Sequence, residues 1–117
     1  MTSIYHVATR LDWAQALESG EYRISTVGRP LEEEGFIHSS TEKQVERVAN
    51  RYYHGMVDLL LLTIELERVK PDVRFDPVGA ETYPHIYGPL NVDAVVRITP
   101  LTANADGGFT IPETMLG

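Results

Sequence analysis

The hydrophobic and polar positions of the chain predict a series of short strands. In several segments apolar residues alternate with polar ones, which is the pattern of a strand with one buried face. Residues 58–66 differ, because their nearly continuous apolar run predicts a central strand that is covered on both faces. The predicted strands are residues 4–8, 22–25, 36–39, 58–66, 73–75, 83–87, 95–101 and 109–111. The last of these is predicted to be an edge strand that follows a turn at 106–108.

Two segments in the first half of the chain predict helices. Residues 13–19 place their apolar side chains on one helical face, with Asp12 as the predicted cap and Gly20 as the stop. A second helix is predicted to open at residues 41–44, where TEKQ has capping-box form, and Ser40 is an alternative cap. Its apolar positions are Val45, Val48, Ala49 and Tyr52, and it is predicted to end near Tyr53 with Gly55 as its stop.

The order of these elements indicates an α+β fold. Both helices come early and strands dominate later, which favours a strongly bent or split, mostly antiparallel sheet over repeated βαβ units. Residues 28–34 contain Gly, Pro and three consecutive Glu, and they predict a mobile loop. No internal repeat or linker interrupts the pattern, so residues 1–117 are predicted to form a single domain.

Composition and charge narrow the classes of function. The chain has 117 residues, of which 43% are apolar and 23% charged, as in folded soluble proteins. No apolar run approaches the roughly 20 residues of a membrane helix, and the first ten residues lack a secretion signal, so we expect a cytoplasmic bacterial protein. The absence of cysteine excludes disulfides, thiolate zinc sites and thiol nucleophiles. A net charge of −7 disfavours bulk nucleic-acid binding, but it leaves room for a pocket that holds one nucleotide.

Three polar clusters interrupt otherwise apolar strands. They are Tyr5 with His6, His38 with the two serines after it, and the segment YPHIYGP at residues 83–89. Because buried polar groups need partners, three such clusters in one small domain predict a shared polar cleft. The alternative is that each histidine is separately a satisfied residue of the core or its rim. Tyr83, His85 and Tyr87 share one strand face, and Glu81 lies just before them, where it is predicted to point into the same cleft.

Strand geometry and motif spacing disfavour two familiar kinds of site. His38 and Ser40 point to one side of their strand and Ser39 to the other, and no G-x-S-x-G turn is present, so a serine hydrolase is not predicted. His6, His38 and His85 with Glu81 are residue types that bind zinc, but no H-E-x-x-H or H-x-H spacing supports a metal site. We therefore predict no metal. His54 follows the second helix and is assigned a surface or structural role.

Several of these segments resemble a known bacterial family. In chain order they are IYHVA, the Trp13 region W-x-x-A, EGFIHSST-x-x-Q, RYY-x-G, DLLLLTIE and YPHIYGPL, which together run from about Ile4 to Ile98. The chain is similar in these segments to the family of domain of unknown function 952 (DUF952). FIHSS and PHIYGPL are the most specific parts of the likeness. The resemblance implies the fold of ADP-ribosyltransferases and RNA 2′-phosphotransferases, in which a split, strongly curved pair of sheets forms an NAD-binding cleft.

The resemblance also implies roles for individual residues. His85 would be the catalytic acid or base of a transferase and Glu81 would assist it. The other expected ligand-binding residues are His6, Tyr22, Ser25, His38, Ser39 and Tyr87. NAD would be the substrate, or another ribose-phosphate compound in its place, and no further cofactor is implied. Two alternatives remain open: a nucleotide- or metabolite-binding module without turnover, and a protein-interaction domain.

Overall fold

The structure is a computed structural model that describes residues 2–116, and it is an α+β arrangement of short helices and antiparallel sheets. The helices of this part of the chain are α1 (Arg10–Ser19), α2 (Leu31–Glu34) and α3 (Val45–Tyr52). The strands are β1 (Ser3–Thr9), β2 (Glu21–Tyr22), β3 (Ile37–His38), β4 (Leu59–Glu65), β5 (Asp72–Val78), β6 (Glu81–Tyr87), β7 (Leu90–Asn91) and β8 (Val95–Leu101). They form three sheets of order β1-β4-β8, β2-β7 and β3-β6-β5. The α+β prediction is confirmed, whereas the expectation of two helices is wrong because α2 is present.

Strand β4 lies at the centre of the first sheet, and all seven of its residues are buried. Side chains alternate between the two faces of a strand, so β4 contributes to two separate hydrophobic cores. Leu60, Leu62 and Ile64 pack with Trp13 of α1 and the core beneath it. Leu59 and Leu61 pack on the other side, against α3. The continuous apolar run in the sequence therefore correctly predicted a strand with two covered faces.

Helix α1 begins earlier than its apolar pattern indicated. Its cap is Thr9, whose Oγ1 accepts a hydrogen bond of 3.1 Å from the backbone N–H of Asp12. Asp12 was therefore wrong as the cap, and it lies in the first helical turn, where a carboxylate is favoured by the helix dipole. Gly20 ends the helix as predicted, with a left-handed φ of +87° that a residue without a Cβ adopts at little cost.

The segment predicted to be a mobile loop contains helix α2. Pro30 precedes its first residue with a fixed φ, and the three glutamates lie in its first turn, where negative charge is stabilised. Arg23 pairs with Glu32 at 2.9 Å and Arg29 pairs with Glu34 at 3.5 Å, so the carboxylates also have basic partners. The three consecutive glutamates therefore lie in a short turn of helix that ends at Gly35, and the prediction of a mobile loop is wrong for residues 31–34.

Helix α3 begins at Val45, and residues 41–44 form the turn before it. Gln44 Oε1 accepts a 3.0 Å hydrogen bond from the Thr41 N–H, which is the backward half of a capping box. The apolar face is as predicted except at its end, where Tyr53 is buried and Tyr52 is half-exposed. The Tyr53 N–H closes the last turn onto the carbonyl of Ala49, and Gly55 lies in the turn beyond it.

Residues 109–111 do not form the predicted edge strand. Their backbone donors bond to side chains of α3 instead: the Phe109 N–H to Asn50 Oδ1 at 2.8 Å, and the Ile111 N–H to Glu46 Oε1 at 2.7 Å. Because these donors are satisfied by a helix, the segment needs no strand partner. It covers the second core, where the side chains of Phe109 and Ile111 are buried.

The third sheet meets the first one beside α3. The backbones of Ser40 and Tyr5 exchange two hydrogen bonds of 2.8 Å each, which fastens the end of β3 to β1. Within the third sheet His38 lies directly opposite His85, and β5 continues the sheet beyond β6. Three distant parts of the chain thereby converge at one place. None of the helices between residues 2 and 116 combines the length and apolar character needed to cross a membrane.

We expect Leu62→Ala to lower the free energy of unfolding by about 3 kcal/mol, because it opens a cavity at a fully buried position of β4. Urea unfolding at neutral pH measures the change. Leu11→Ala is the matched control on α1, where the leucine is 67% exposed, and it should change the free energy by less than about 0.5 kcal/mol. Equal losses in both variants would contradict the placement of β4 at the centre.

Candidate functional site

The candidate site is built on a chain of hydrogen bonds that runs from Asp76 through His85 to His38. His85 Nδ1 lies 2.9 Å from Asp76 Oδ2, and His85 Nε2 lies 3.2 Å from His38 Nδ1. A carboxylate only accepts, so His85 Nδ1 carries a proton and donates it to Asp76. His85 Nε2 and His38 Nδ1 then share one proton between them when both rings are neutral. The outer end of this chain is His38 Nε2, which bonds to no residue in the range 2–116.

Asp76 is held as an anion behind the two histidines. Hydrogen bonds from the Tyr87 hydroxyl and from the His85 ring keep the pKa of the Asp76 carboxyl below its usual value. The same contact with Asp76 raises the pKa of Tyr87, so its hydroxyl stays a donor. The Phe36 ring stacks on the His85 ring, with the two ring centres 4.0 Å apart and the two planes at an angle of 14°. His85 is therefore oriented by a carboxylate at its edge and an aromatic ring on its face.

His6 supports His38 from the interior. Its Nδ1 lies 2.7 Å from the carbonyl oxygen of His38, and that oxygen only accepts, so Nδ1 bears the proton. Its Nε2 accepts a 3.1 Å hydrogen bond from the hydroxyl of Tyr22. Burial lowers the pKa of the His6 ring to about 4, although the bond to the carbonyl opposes this. His6 is thus a neutral ring with both nitrogens engaged, and it fixes the backbone of β3.

The backbone of His38 is also held from the opposite direction. Its N–H donates a 3.1 Å hydrogen bond to Ser25 Oγ, and Ser25 is buried. Desolvation lowers the pKa of the His38 ring to about 4, and the neighbouring His85 adds to this effect. At neutral pH the His38 ring is therefore uncharged, with its main-chain atoms bonded to Ser25 and His6.

Two adjoining cavities of about 440 and 400 Å³ open beside this chain of hydrogen bonds. His38, Tyr52 and Val78 line both cavities, so the two form one groove, here called the histidine groove. His85 and Arg29 line the first cavity only, and arginines of α3 line the second. A volume of this size suits a small organic ligand.

The histidine groove combines exposed apolar surface with positive charge. Val27, Tyr52 and Val78 line it and are 43%, 46% and 50% exposed. Arg51 places its guanidinium 5.4 Å from the centre of the Tyr52 ring and forms no ion pair with a carboxylate in residues 2–116. Arg29 is paired with Glu34 at a long 3.5 Å. The groove is therefore locally basic in a chain whose net charge is −7.

The predicted site residues take different positions around this groove. His38 and His85 line it. His6, Tyr22, Ser25 and Tyr87 lie behind these two as hydrogen-bond partners. Ser39 Oγ is buried and has no hydrogen-bond partner in the range 2–116. The three histidines are brought together as the polar clusters predicted, and contact of each residue with a ligand stays a prediction.

Glu81 has a different environment from His85. Its carboxylate pairs with Arg47 and accepts a 3.4 Å hydrogen bond from Gln44 Nε2. The bond to Arg47 is the main reason why the pKa of Glu81 lies below its usual value. Glu81 is absent from the lining of both cavities of the groove, whereas Arg47 lines the second. Its catalytic role stays a prediction, and the carboxylate that contacts His85 is Asp76.

Comparison with known proteins places the chain in a family. A family model described as "protein of unknown function (DUF952)" matches residues 7–98. The chain belongs to the DUF952 family. The X-ray crystal structure of protein CC0527 from Caulobacter crescentus is 31% identical, covers 97% of this chain and 98% of that chain, and has a TM-score of 0.87. The solution NMR structure of the same protein is 30% identical, covers 99% and 98%, and has a TM-score of 0.79. No curated protein matches the chain.

Sequence reasoning missed the roles of two residues at the candidate site of this DUF952 domain, Asp76 and Tyr52. Asp76 lies beyond the short strand predicted at 73–75, and β5 in fact extends to Val78. A carboxylate directly after that strand, two residues from Arg74 and on the same face, was the available indication. Tyr52 was assigned to the core by its helical spacing, but it is half-exposed and lines the groove.

In the described part of the chain, residues 2–116, no group of three His, Asp or Glu side chains has the arrangement of a metal site.

We expect the free energy of unfolding of this DUF952 domain to fall by about 3 kcal/mol between pH 7 and pH 5. The pKa values of His6 and His38, about 4 in the folded chain, lie below the unfolded value near 6.5. The unfolded chain therefore binds protons first as the pH falls, and stability is lost from about pH 6.5 down towards pH 4. Urea unfolding at the two pH values measures this loss.

The control is His6→Gln, which removes one of the two titrating rings. The loss of stability between pH 7 and pH 5 should shrink to about half in this variant, since each ring accounts for at most about 1.4 kcal/mol per pH unit. An unchanged pH dependence in His6→Gln would show that His6 is not held neutral by burial.

Proposed function

We propose that this domain binds a nucleotide-like ribose-phosphate ligand in the histidine groove, and that His38 exchanges a proton with it. The observation that supports this most directly is the hydrogen-bonded chain Asp76–His85–His38, which ends at a free ring nitrogen beside the groove. A base oriented by a second group, which is itself held by an anion, is the usual arrangement of a general acid–base catalyst.

The lining of the groove supports a ligand with both a flat ring and a negative charge. Tyr52 presents half of its aromatic surface, and Val27 and Val78 add exposed aliphatic surface beside it. Arg29 and Arg51 supply guanidinium groups, which suit phosphate because they donate two parallel hydrogen bonds. A nucleotide carries both features in one molecule, whereas a purely apolar metabolite would leave the arginines unused.

The chain of hydrogen bonds explains how a histidine with a lowered pKa can act as a base. When His38 Nε2 accepts a proton from the ligand, the proton on His38 Nδ1 can pass to His85 Nε2 across 3.2 Å. The positive charge then lies on His85, next to the Asp76 carboxylate. Asp76 stabilises that charge. His38 would therefore take up the proton at the groove, while the positive charge would lie on the His85 ring behind it.

NAD is the first ligand to test, and the ADP-ribosyltransferase-like fold is part of this proposal. The segments IYHVA, FIHSS and PHIYGPL, which carry the resemblance to DUF952, supply His6, His38 and His85. All three imidazoles belong to one hydrogen-bonded assembly, which supports a common role. A transferase of this kind would release nicotinamide from NAD or move a phosphate from a ribose.

A binding module without turnover is the second candidate, and the position of Glu81 favours it. The resemblance implies that Glu81 assists His85, but the Glu81 carboxylate is paired with Arg47 and hydrogen-bonded to Gln44. Glu34, which does line the groove, is paired with Arg29. With these carboxylates engaged, the groove retains the means to hold a nucleotide, and its lining within residues 2–116 offers no unpaired carboxylate for catalysis.

We expect the wild-type domain to bind at least one of NAD, ADP-ribose and AMP, and His38→Gln to weaken that binding about tenfold, or ~1.4 kcal/mol. The loss would follow from removal of the ring nitrogen at the groove. Isothermal titration calorimetry measures the affinity, and thermal unfolding should show a Tm that rises with ligand concentration. His54→Gln is the matched control, because His54 is exposed and lies beside Gly107, outside the groove. Failure of all three compounds to bind would refute the proposal.

Asp76→Asn separates the enzyme from the binding module. Asp76 is not part of the groove lining, so we expect the Kd for the ligand to change by less than about twofold. Nicotinamide release or phosphate transfer should fall at least about tenfold in kcat with little change in KM, because the charge on His85 loses its stabilising anion. Wild-type binding with no turnover would establish the second candidate instead.

A further inference from the structure

The turn at the mouth of the histidine groove contains a residue that is poorly suited to its backbone. The Arg29 N–H donates a 2.9 Å hydrogen bond to the carbonyl of Thr26, which closes a two-residue turn. Its central residues are Val27, with φ +32°, and Gly28, with φ +77°. Positive φ at both central positions is the type I′ pattern, which favours Asn, Asp or Gly at the first of them. A β-branched valine there is strained.

The surrounding structure holds this turn in place. The Ser25 N–H bonds to the carbonyl of Arg29 at 2.7 Å, and the Val27 N–H donates to the hydroxyl of the buried Tyr53 at 3.3 Å. Ser25 also accepts the hydrogen bond from the His38 N–H. The turn is thus fixed to the same strand that carries His38, and Val27 cannot relax without disturbing these bonds.

Packing in the folded chain gives no reason for a valine at this position. Val27 belongs to neither hydrophobic core, and its side chain is 43% exposed. The isopropyl group instead forms part of the groove wall together with Tyr52 and Val78, which are also exposed. A strained residue whose side chain adds apolar surface only to a cavity is expected where that surface contacts a ligand.

We propose that Val27 is a specificity-determining residue whose isopropyl group packs against the flat ring of the bound nucleotide. This inference rests on the proposed function. It adds a basis for selecting the ring of the ligand, which the proposed function alone does not require. Val27 should select for the ring itself, whereas the arginines hold the phosphate.

The test compares Val27→Asn in the full chain with the wild type, using AMP and ribose 5-phosphate as probes. Asparagine is favoured in a type I′ turn, so we expect Tm to rise by roughly 5 °C. The affinity for AMP should fall about fivefold, and the affinity for ribose 5-phosphate, which has no ring, should stay the same. Val57→Asn is the matched control, since Val57 is 73% exposed and absent from the groove lining. It should change neither Tm nor affinity appreciably.

The outcomes are distinguishable. A raised Tm with weaker binding of AMP alone supports the inference. Unchanged AMP affinity in Val27→Asn, equal losses for both probes, or a lowered Tm each overturns it while leaving the proposed function intact. If the wild-type domain binds none of NAD, ADP-ribose and AMP, the proposed function fails, and the role of Val27 fails with it.

Discussion

The hydrogen bond from the buried His6 ring to the carbonyl of His38 joins the two larger sheets of the molecule. It adds to the main-chain bridge between Tyr5 and Ser40, so β1 of the first sheet and β3 of the third are tied at adjacent residues. Strand β3 is only two residues long and has little pairing of its own. The position of His38 at the groove therefore depends on this contact and on the hydroxyl of Ser25.

The same contact explains why the interior tolerates several imidazoles. A buried charge is costly, but a neutral imidazole needs only one donor and one acceptor partner. His6 has both, and His85 donates to Asp76 and shares a proton with His38. The Asp76 carboxylate lies at one end of the assembly, beside His85, and the neutral His6 ring lies at the other. The assembly therefore has a direction, with an anion at one end and an uncharged ring at the other.

The parts of the fold and of the candidate site that the sequence predicts are those determined by residues close together in the chain. Strand β4 and the end of α1 at Gly20 were predictable. A strand buried on both faces requires a continuous run of apolar residues, and a left-handed helix end favours glycine, so both are visible in neighbouring residues. The convergence of the histidines was predictable as well, because polar residues inside apolar strands imply shared partners. Asp76 was missed because only the register of β5 against β6 brings it to His85.

The two neighbouring tyrosines at the end of α3 also show that local spacing alone does not decide which residue is buried. Helical spacing placed Tyr52 in the core and left Tyr53 undecided, yet Tyr53 is buried and Tyr52 is half-exposed. Helix α3 ends between them, so the spacing rule no longer applies at Tyr53. Burial there is decided by contacts with β1 and the C-terminal segment, which lie far away in the sequence.

Several departures from local rules lie around the histidine groove. Val27 is strained at its mouth, the Ser39 hydroxyl is buried without a partner in the range 2–116, and the His6 and His38 rings lie in surroundings that disfavour their charged forms. Away from the groove, α1 follows the rules of capping closely, but the Thr63 hydroxyl in β4 is also buried without a partner in the range 2–116, and Asp58 before β4 has a φ of +59°. Each of these departures lowers the free energy of unfolding. Under the function proposed above, the departures beside the groove are of the kind that binding sites keep at a cost in stability, whereas those at Thr63 and Asp58 belong to the fold alone.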